Sequence, residues 1–274
     1  MLTSSKILLS KYRTKGKCLP AFNVYNLETM QAALDAAYAM ELPVMLAFGE
    51  GYLNYANFEV IAAMARELTK GHPVPVVLHL DHCKSIEHCI QAIEAGFTSV
   101  MYDGSRLPLE QNIANTLEVV AYAHPRGVTV EGELGGMNEE DGSGGEEQTF
   151  FTDIAEAKEY VTRTGIDSLA VSVGNAHGVY KGQPKLDFGR IADIYNAVKI
   201  PLVLHGCSGI SFEDIRRASQ LAVAKINVNT EIAMAAALCA SEEYAAGKHR
   251  YELLTAAARA RMIEVMSEFL VLGK

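Results

Sequence analysis

VPVVLHLD, residues 74–81, is a near-continuous run of branched apolar side chains that ends in an aspartate, and His82 follows directly. Strands that are apolar on both faces are typical of parallel sheets, whose outer face is covered by helices. Seven more runs of this kind lie at LPAFN (19–23), PVMLAF (43–48), TSVMYD (98–103), VTVEGEL (128–134), SLAVSV (168–173), PLVLH (201–205) and VAKINV (223–228). Eight such strands with helices between them predict an α/β fold, a (β/α)8 TIM barrel formed as a single domain by residues 1–274.

The segments between these runs carry helix signals. AAMARELTKG (62–71) and QAIEAG (91–96) end in glycine, and Ser211 to Asp214 has the pattern of a capping box. The stretch 251–270 has apolar residues at steps of three and four, which predicts an amphipathic C-terminal helix that closes the barrel or meets another subunit.

GGMNEEDGSGGEEQTF, residues 135–150, interrupts the pattern because it is rich in glycine and acid and has almost no core residues. Composition alone is equally compatible with a solvated surface loop. Its position after the fifth strand, on the face where barrels carry their chemistry, favours a mobile active-site loop.

Composition narrows the possible partners. The net charge is −9, so the chain has no basic field that would hold nucleic acid or an anionic membrane. The N-terminal sequence has no secretory signal pattern, and no run of 18 apolar residues occurs, so we expect a cytoplasmic protein.

The five cysteines are scattered and form no CxxC pair, which argues against disulfides and against zinc-thiolate ligation.

Polar residues collect where the predicted strands end. They are Asn23, Asp81, His82, Asp103, Glu133, His205 and Asn227, with His177 in the loop after the sixth strand. The carboxyl ends of barrel strands meet at one face, so these side chains should converge. Three imidazoles from different strands are a common ligand set for a catalytic zinc ion that keeps one position open. We therefore predict a zinc site formed by His82, His177 and His205, with Glu133 nearby, and we expect His79 to be packed rather than a ligand.

Glycines adjoin the same histidines. His177-Gly178, His205-Gly206 and Ser208-Gly209 leave backbone N–H groups unobstructed, and Thr230 follows the last strand at the predicted start of a helix. The loops after the seventh and eighth barrel strands commonly hold a phosphate group. A phosphorylated ligand is expected, whereas the absence of a GxxxxGK[ST] loop gives no indication of a nucleoside triphosphate.

Taken together, the motifs PAFNVYN, LHLDHC, SVMYDGS, EGELGG, EEDG, HGVYKGQPKLDF, PLVLHGCSGI and KINVNTE resemble the class II, zinc-dependent ketose-bisphosphate aldolases, which include fructose- and tagatose-bisphosphate aldolases. The resemblance spans nearly the whole chain. It implies that Asp81 is the acid/base at the substrate C4 hydroxyl and that Glu140, or its neighbour Glu139, exchanges the C3 proton. It also implies that Glu133 is either an alternative zinc contact or a group that supports the zinc ligands. It also implies a substrate pocket formed by Asn23, Gly178, Lys181, Gly206, Cys207, Ser208, Asn227, Asn229 and Thr230.

The expected chemistry agrees with these residue types. Cleavage of a C3–C4 bond leaves negative charge at C3, and Zn²⁺ on the C2 carbonyl oxygen would spread that charge as a Lewis acid. Asp81 would take the C4 hydroxyl proton. We find no lysine suited to an imine mechanism at a strand end, since Lys225 precedes the end of its strand. The resemblance leaves open whether a monovalent cation, Na⁺ or K⁺, assists.

Four departures from the family pattern bear on the substrate: Gly49, Asn175, Cys207 and Asn229 stand where family members carry other residues. The default expectation is a ketose 1-phosphate or 1,6-bisphosphate, such as fructose or tagatose bisphosphate, cleaved to dihydroxyacetone phosphate and an aldehyde. A different monophosphorylated ketose or sugar acid is the first alternative. A non-catalytic companion subunit of an aldolase complex, or another metal-dependent barrel such as an epimerase or amidohydrolase, is the next. A homodimer or homotetramer is expected.

Overall fold

Eight parallel strands close into a barrel in the computed structural model, which describes residues 2–136, 151–176, 178, 180 and 182–274. The strands are β1 (Leu19–Asn23), β2 (Val44–Gly49), β3 (Val76–Cys83), β4 (Ser99–Tyr102), β5 (Thr129–Leu134), β6 (Ser168–Val171), β7 (Leu202–Leu204) and β8 (Val223–Val228). Each strand pairs with the next along the chain, and β1 pairs with β8. The predicted (β/α)8 TIM barrel is confirmed.

Helices alternate with the strands and surround the barrel. They are α1 (Ser5–Thr14), α2 (Leu27–Met40), α3 (Phe58–Leu68), α4 (Ile86–Ala95), α5 (Leu109–Ala123), α6 (Ile154–Thr164), α7 (Phe188–Val198), α8 (Phe212–Gln220), α9 (Thr230–Ala245) and α10 (Tyr251–Leu270). Short 3₁₀ turns lie at Glu50–Tyr52, His124–Arg126 and Val271–Gly273. Within the described ranges, no helix is long and apolar enough to span a membrane.

Two of the predicted helix ends agree with the structure, whereas α3 ends at Leu68, three residues before the glycine predicted to end it. The Ser211 hydroxyl accepts a hydrogen bond from the Asp214 N–H and caps α8, while Gly96 ends α4 in the left-handed conformation that glycine adopts without strain. The C-terminal helix α10 has the predicted bounds. Of the segment predicted to be an active-site loop, residues 137–150 lie outside the described residues.

The barrel interior is stacked in layers. Its amino-terminal end is filled by apolar side chains from the strands, and α1 covers them with Leu8, Leu9 and Tyr12. Above this layer lie buried charged side chains, Glu131 and Lys225 among them. The uppermost polar side chains, including Asp81 and His205, face the carboxyl-terminal end. The functional groups therefore sit on rigid strands that rest on a packed base.

Candidate active site

A β-bulge in β3 brings two adjacent residues to the same end of the barrel. Leu80 pairs with Val100, but Cys83 pairs with Tyr102, so β3 advances three residues while β4 advances two. Because side chains alternate between the two faces of a regular strand, Asp81 and His82 would otherwise point in opposite directions. The backbone of His82 takes up the irregularity with φ of 47°, a value that only a minority of non-glycine residues adopt.

A cavity of about 510 Å³ opens at the carboxyl-terminal end of the barrel. The residues predicted as site residues that line it are Asn23, Asp81, His82, Glu133, Gly178, His205, Gly206, Ser208, Asn227, Asn229 and Thr230. Three further predicted site residues, His177, Lys181 and Glu140, lie outside the described residues. The convergence of residues from the ends of β1, β3, β5 and β8 and from the loops after β6 and β7 makes this cavity the candidate active site.

Asp81 is held by two amides from the adjacent strands β1 and β8. Asn23 donates through Nδ2 to Asp81 Oδ2 at 3.0 Å, and Asn227 donates through Nδ2 to Asp81 Oδ1 at 2.8 Å. Burial opposes ionisation of this carboxyl, but the neighbouring His82 and His205 outweigh it, so the pKa of Asp81 lies well below its usual range. The side chain is thus a fixed, buried carboxylate.

His82 faces two other carboxyl groups. Its Nδ1 lies 3.2 Å from Asp103 Oδ2 and 3.7 Å from Glu133 Oε2. Because a carboxylate can only accept, Nδ1 carries a proton, and in the neutral ring the lone pair is on Nε2. Burial lowers the pKa of His82, but the hydrogen bond to Asp103 and the charges of Asp81 and Glu133 raise it to about 9. Binding of a metal ion through Nε2 would displace a proton at neutral pH.

His205 is completely buried at the end of β7, and its ring meets that of His82 at a centroid distance of 4.4 Å. Its Nε2 lies 2.9 Å from Glu131 Oε1, a contact that the sequence did not lead us to expect. Its other nitrogen, Nδ1, lies 4.0 Å from Asp81 Oδ1 and so faces the cavity. The contact to Glu131 therefore holds the His205 ring from the barrel interior, and Nδ1 is directed towards the cavity.

Two overlapping groups of donors fit a metal ion. One ligand atom each from Asp81, His82 and His205 lies within 4.8 Å of the others, and the same is true of His82, Asp103 and Glu133. Imidazole nitrogens and carboxylate oxygens are the ligand types that zinc accepts. Both oxygens of Asp81 are already occupied by amides, which leaves the two histidines as the better ligands in the first group. Burial, followed by the charge of Asp103, raises the pKa of Glu133, and a cation bound beside it would oppose that effect.

One rim of the cavity presents backbone groups. Gly206 and Gly178, with φ of 64° and 86°, line it together with Ser208, Asn229 and Thr230, the first residue of α9. The Ser208 hydroxyl accepts a hydrogen bond from the N–H of Glu231 in the first turn of this helix. Amide groups at a helix start attract anions, so this rim is suited to a phosphate.

Cys207 differs from its neighbours on this rim. We expected it among the substrate-binding residues, but it is fully buried and does not line the cavity. Its thiol donates to the Leu204 carbonyl oxygen at 3.2 Å, and its N–H donates to the Asn227 carbonyl oxygen at 3.1 Å. The residue supports the loop from beneath because its side chain turns towards the core.

The opposite rim contains residues that the sequence did not single out. They are Glu50, Gly51, Tyr52, Lys84, Ser105 and Arg106. Gly49 and Asp103, which the sequence analysis did name, lie on the same rim. Glu50 accepts hydrogen bonds from the Lys84 N–H at 2.9 Å and pairs with His88 at 2.6 Å. Tyr52 accepts from the amide of Asn229 at 3.1 Å and so connects this rim with the start of α9. The cavity is long enough to have two chemically different ends.

Comparison with known proteins identifies the family. The model of the family described as class-II fructose-bisphosphate aldolase matches residues 3–273. The YdjI aldolase from Escherichia coli K12 is 36% identical, with a TM-score of 0.90 over 99% of this chain and 97% of that chain. A candidate fructose-1,6-biphosphate aldolase from Coccidioides immitis is 30% identical, with a TM-score of 0.88 over 97% and 94%. The fructose-bisphosphate aldolase from Campylobacter jejuni shares the fold at 24% identity, with a TM-score of 0.83 over 99% and 96%.

A closed barrel with a polar cavity at the carboxyl ends of its strands defines a barrel enzyme. The chain belongs to the class II fructose-bisphosphate aldolase family and is a carbon–carbon lyase.

Proposed function

We propose that this aldolase uses a zinc ion to cleave a ketose 1-phosphate or 1,6-bisphosphate reversibly to dihydroxyacetone phosphate and an aldehyde. The observation that carries the proposal is the arrangement of Asp81, His82 and His205, whose ligand atoms lie within 4.8 Å of one another at the floor of the cavity. His82 through Nε2 and His205 through Nδ1 would hold the metal, with His177 as the third ligand and Glu133 as an additional contact.

The metal would supply Lewis acidity where negative charge develops as the carbon–carbon bond breaks. The protein residues bind, orient and move protons around that centre. Asp81 would accept the C4 hydroxyl proton at an oxygen of its carboxylate and return it in the condensation direction. Its two amide partners hold it in place, so no reorientation is needed before the transfer. Glu140 would exchange the proton at C3.

The glycine rim would bind the phosphate of the dihydroxyacetone phosphate half. Gly178, Gly206 and Ser208 with Asn229 and Thr230 offer N–H and hydroxyl groups without a bulky side chain in the way. Lys181 would add a positive charge, and Asn23 and Asn227 would complete the middle of the pocket. A monovalent cation, Na⁺ or K⁺, is compatible with this rim.

The aldehyde half would then lie towards the rim formed by Glu50, Lys84 and Arg106. Fructose and tagatose bisphosphates are the default substrates. Gly49 supports the alternative of a ketose or sugar acid with a single phosphate, since it offers no side chain at the position where the family resemblance leads us to expect a serine.

The test is release of dihydroxyacetone phosphate from a panel of ketose phosphates, including bisphosphates and monophosphorylated sugar acids. Each assay is run on the enzyme as purified, after chelation and after zinc is restored. Release that disappears with the chelator and returns with zinc is expected, and the preferred sugar identifies the substrate. If zinc-loaded enzyme cleaves none of them, the assignment to these substrates is wrong, and a companion subunit becomes the better explanation.

We also propose that the chain forms a homo-oligomer through α9 and α10. The exposed large apolar side chains on these helices include Met234, Leu238, Tyr251 and Leu253, with exposures between 46% and 76%. Large apolar side chains exposed together on two helices that pack against each other favour an interface. A second copy of the chain is the expected partner.

A further inference from the structure

A buried network of charged and polar side chains lies directly beneath the candidate active site. Lys225 Nζ is 2.9 Å from each carboxylate oxygen of Glu131 and 3.3 Å from His79 Nε2. Lys225 and His79 are completely buried, and Glu131 is 2% exposed. None of the three lines the cavity. A lysine and a glutamate are rarely buried unless they are paired, so the network requires an explanation.

The direction of each hydrogen bond follows from which groups can donate. An ammonium group donates and cannot accept, so His79 Nε2 must accept from Lys225. The proton of the neutral His79 ring is therefore on Nδ1, which lies 2.8 Å from the Ser99 hydroxyl oxygen. The three N–H groups of Lys225 are all used, two towards Glu131 and one towards His79.

The same reasoning fixes the protonated nitrogen of His205. Glu131, paired with Lys225, is a carboxylate and can only accept, so the 2.9 Å contact to His205 requires an N–H at Nε2. In the neutral ring the lone pair is then on Nδ1, the atom that faces Asp81 and the cavity. A histidine bound to a metal commonly donates its second N–H to a carboxylate, and this contact selects the nitrogen that binds the metal.

We propose that Glu131 and Lys225 are positioning residues that hold His205 as its Nε2–H tautomer with Nδ1 directed at the metal site. Glu131 fixes the ring, and Lys225 holds Glu131 as a charged acceptor. For metal binding this inference rests on the proposed zinc site, but the tautomer itself can be read without metal. Lys225 therefore takes part indirectly, through Glu131, rather than as a nucleophile.

The first experiment uses the zinc-free wild-type enzyme labelled with ¹⁵N-histidine at pH 8.5. Long-range proton–nitrogen correlation distinguishes the two ring nitrogens, and the spectrum of His205→Gln assigns the signal. We expect His205 to carry its proton on Nε2 alone. A proton on Nδ1 would overturn the proposal, whatever the enzyme does with sugars.

The second experiment compares zinc affinities by competition with a chromogenic chelator. Lys225→Met alone leaves Glu131 buried without its cation and should lower the melting temperature. The double variant Glu131→Met/Lys225→Met removes both charges, so it should regain stability yet bind zinc about 10–100-fold more weakly, because His205 has lost its acceptor. Wild-type zinc affinity in the folded double variant would mean that the pair serves stability only.

Ser99→Ala is the matched control, since it removes a hydrogen bond at the other end of the same network without touching Glu131. Its zinc affinity should stay within about twofold of wild type, well short of the loss typical when a histidine ligand loses its partner. An equal loss in Ser99→Ala and in the double variant would show a general disturbance of the barrel interior and contradict the proposal. If the wild type binds zinc at this site but cleaves no ketose phosphate, the proposed reaction fails while the positioning role stands.

Discussion

Asn227 on β8 donates its amide to Asp81 on β3 at 2.8 Å, although 146 residues separate them in the chain. With the matching contact from Asn23, it leaves the carboxylate little rotational freedom. A carboxylate that is already oriented needs no further loss of conformational entropy before it accepts a proton from a substrate.

Replacement of Asp81 should separate metal binding from chemistry. In Asp81→Ala we expect zinc content to stay near wild type while kcat falls by a factor on the order of 10²–10⁴, because the proton acceptor is gone and the imidazoles remain. Metal analysis and steady-state kinetics on the same preparation measure both. His205→Ala is the comparison and should lose zinc and activity together; cleavage at the wild-type rate in Asp81→Ala would rule out its role as the base.

Asp103 should matter through His82. Its carboxylate accepts from His82 Nδ1, so Asp103→Ala should weaken zinc binding by about 10–100-fold and leave kcat largely restored at saturating zinc. Titration of activity against free zinc gives both quantities. Ser105→Ala, which removes only the hydroxyl that donates to Asp103 Oδ1 at 2.7 Å, is the control and should have a smaller effect. A kcat that stays low in Asp103→Ala at saturating zinc would indicate a direct role in the reaction.

His79 should make the fold sensitive to mild acid. Burial, followed by the charge of Lys225, lowers its pKa from 6.5 to about 4, whereas the unfolded chain would titrate near the ordinary value. Between those values the unfolded state binds more protons, so the free energy of unfolding falls as the pH drops. His79→Gln keeps an acceptor and a donor but cannot titrate.

Wild type should therefore lose about 1.5 kcal/mol relative to His79→Gln between pH 6.5 and pH 5. Denaturant unfolding of the zinc-free proteins at the two pH values measures the difference. Identical pH dependence in both proteins would show that His79 titrates normally.

Gly132 has no room for a side chain. It lies between Glu131 and Glu133 on β5, and a Cβ there would come within 2.4 Å of the Tyr160 hydroxyl oxygen. Gly132→Ala should cost about 1–3 kcal/mol of stability and also weaken zinc binding, because β5 must shift and carry both glutamates with it. Gly51→Ala is the control, since a Cβ at Gly51 meets nothing within 4 Å. Thermal melts that show equal stability for the two variants would contradict this account.

Leu238 on α9 is 61% exposed and lies on the proposed interface. Leu238→Glu should shift the assembly towards monomers, because a charge buried in an apolar interface is costly. Sedimentation velocity across a range of concentrations measures the shift. Ile7→Glu changes a similarly exposed side chain on α1, away from α9 and α10, and should leave the assembly intact. A wild-type protein that is already monomeric would remove the proposal.

The fold could be read from the sequence because buried parallel strands leave a plain pattern of apolar runs. All eight runs became strands, with ends that moved by up to two residues. β3 differs most from its predicted bounds, because it begins at Val76 and ends at Cys83, two residues later than predicted at each end. Strand ends depend on tertiary pairing, in this case on a bulge, and that information is not local.

The floor of the site was harder to predict than its rim. Glu131 and Lys225 look like ordinary polar residues within apolar strands, and only their pairing across the barrel shows why they are buried. One signal was available: side chains two apart on a strand share a face, so placing Glu133 inside the barrel also places Glu131 inside. Cys207 showed the opposite difficulty, since its motif suggested contact with substrate while its side chain turns into the core.

The bulge at Asp81 and His82 also sets a condition for protein design. Copying the site residues onto an idealised barrel with regular strands would direct either the carboxylate or the imidazole towards the surrounding helices. A designer who wants both groups in one pocket must transfer the irregular backbone together with the side chains. The extra residue in β3 is therefore as much a part of the transferable unit as the histidines.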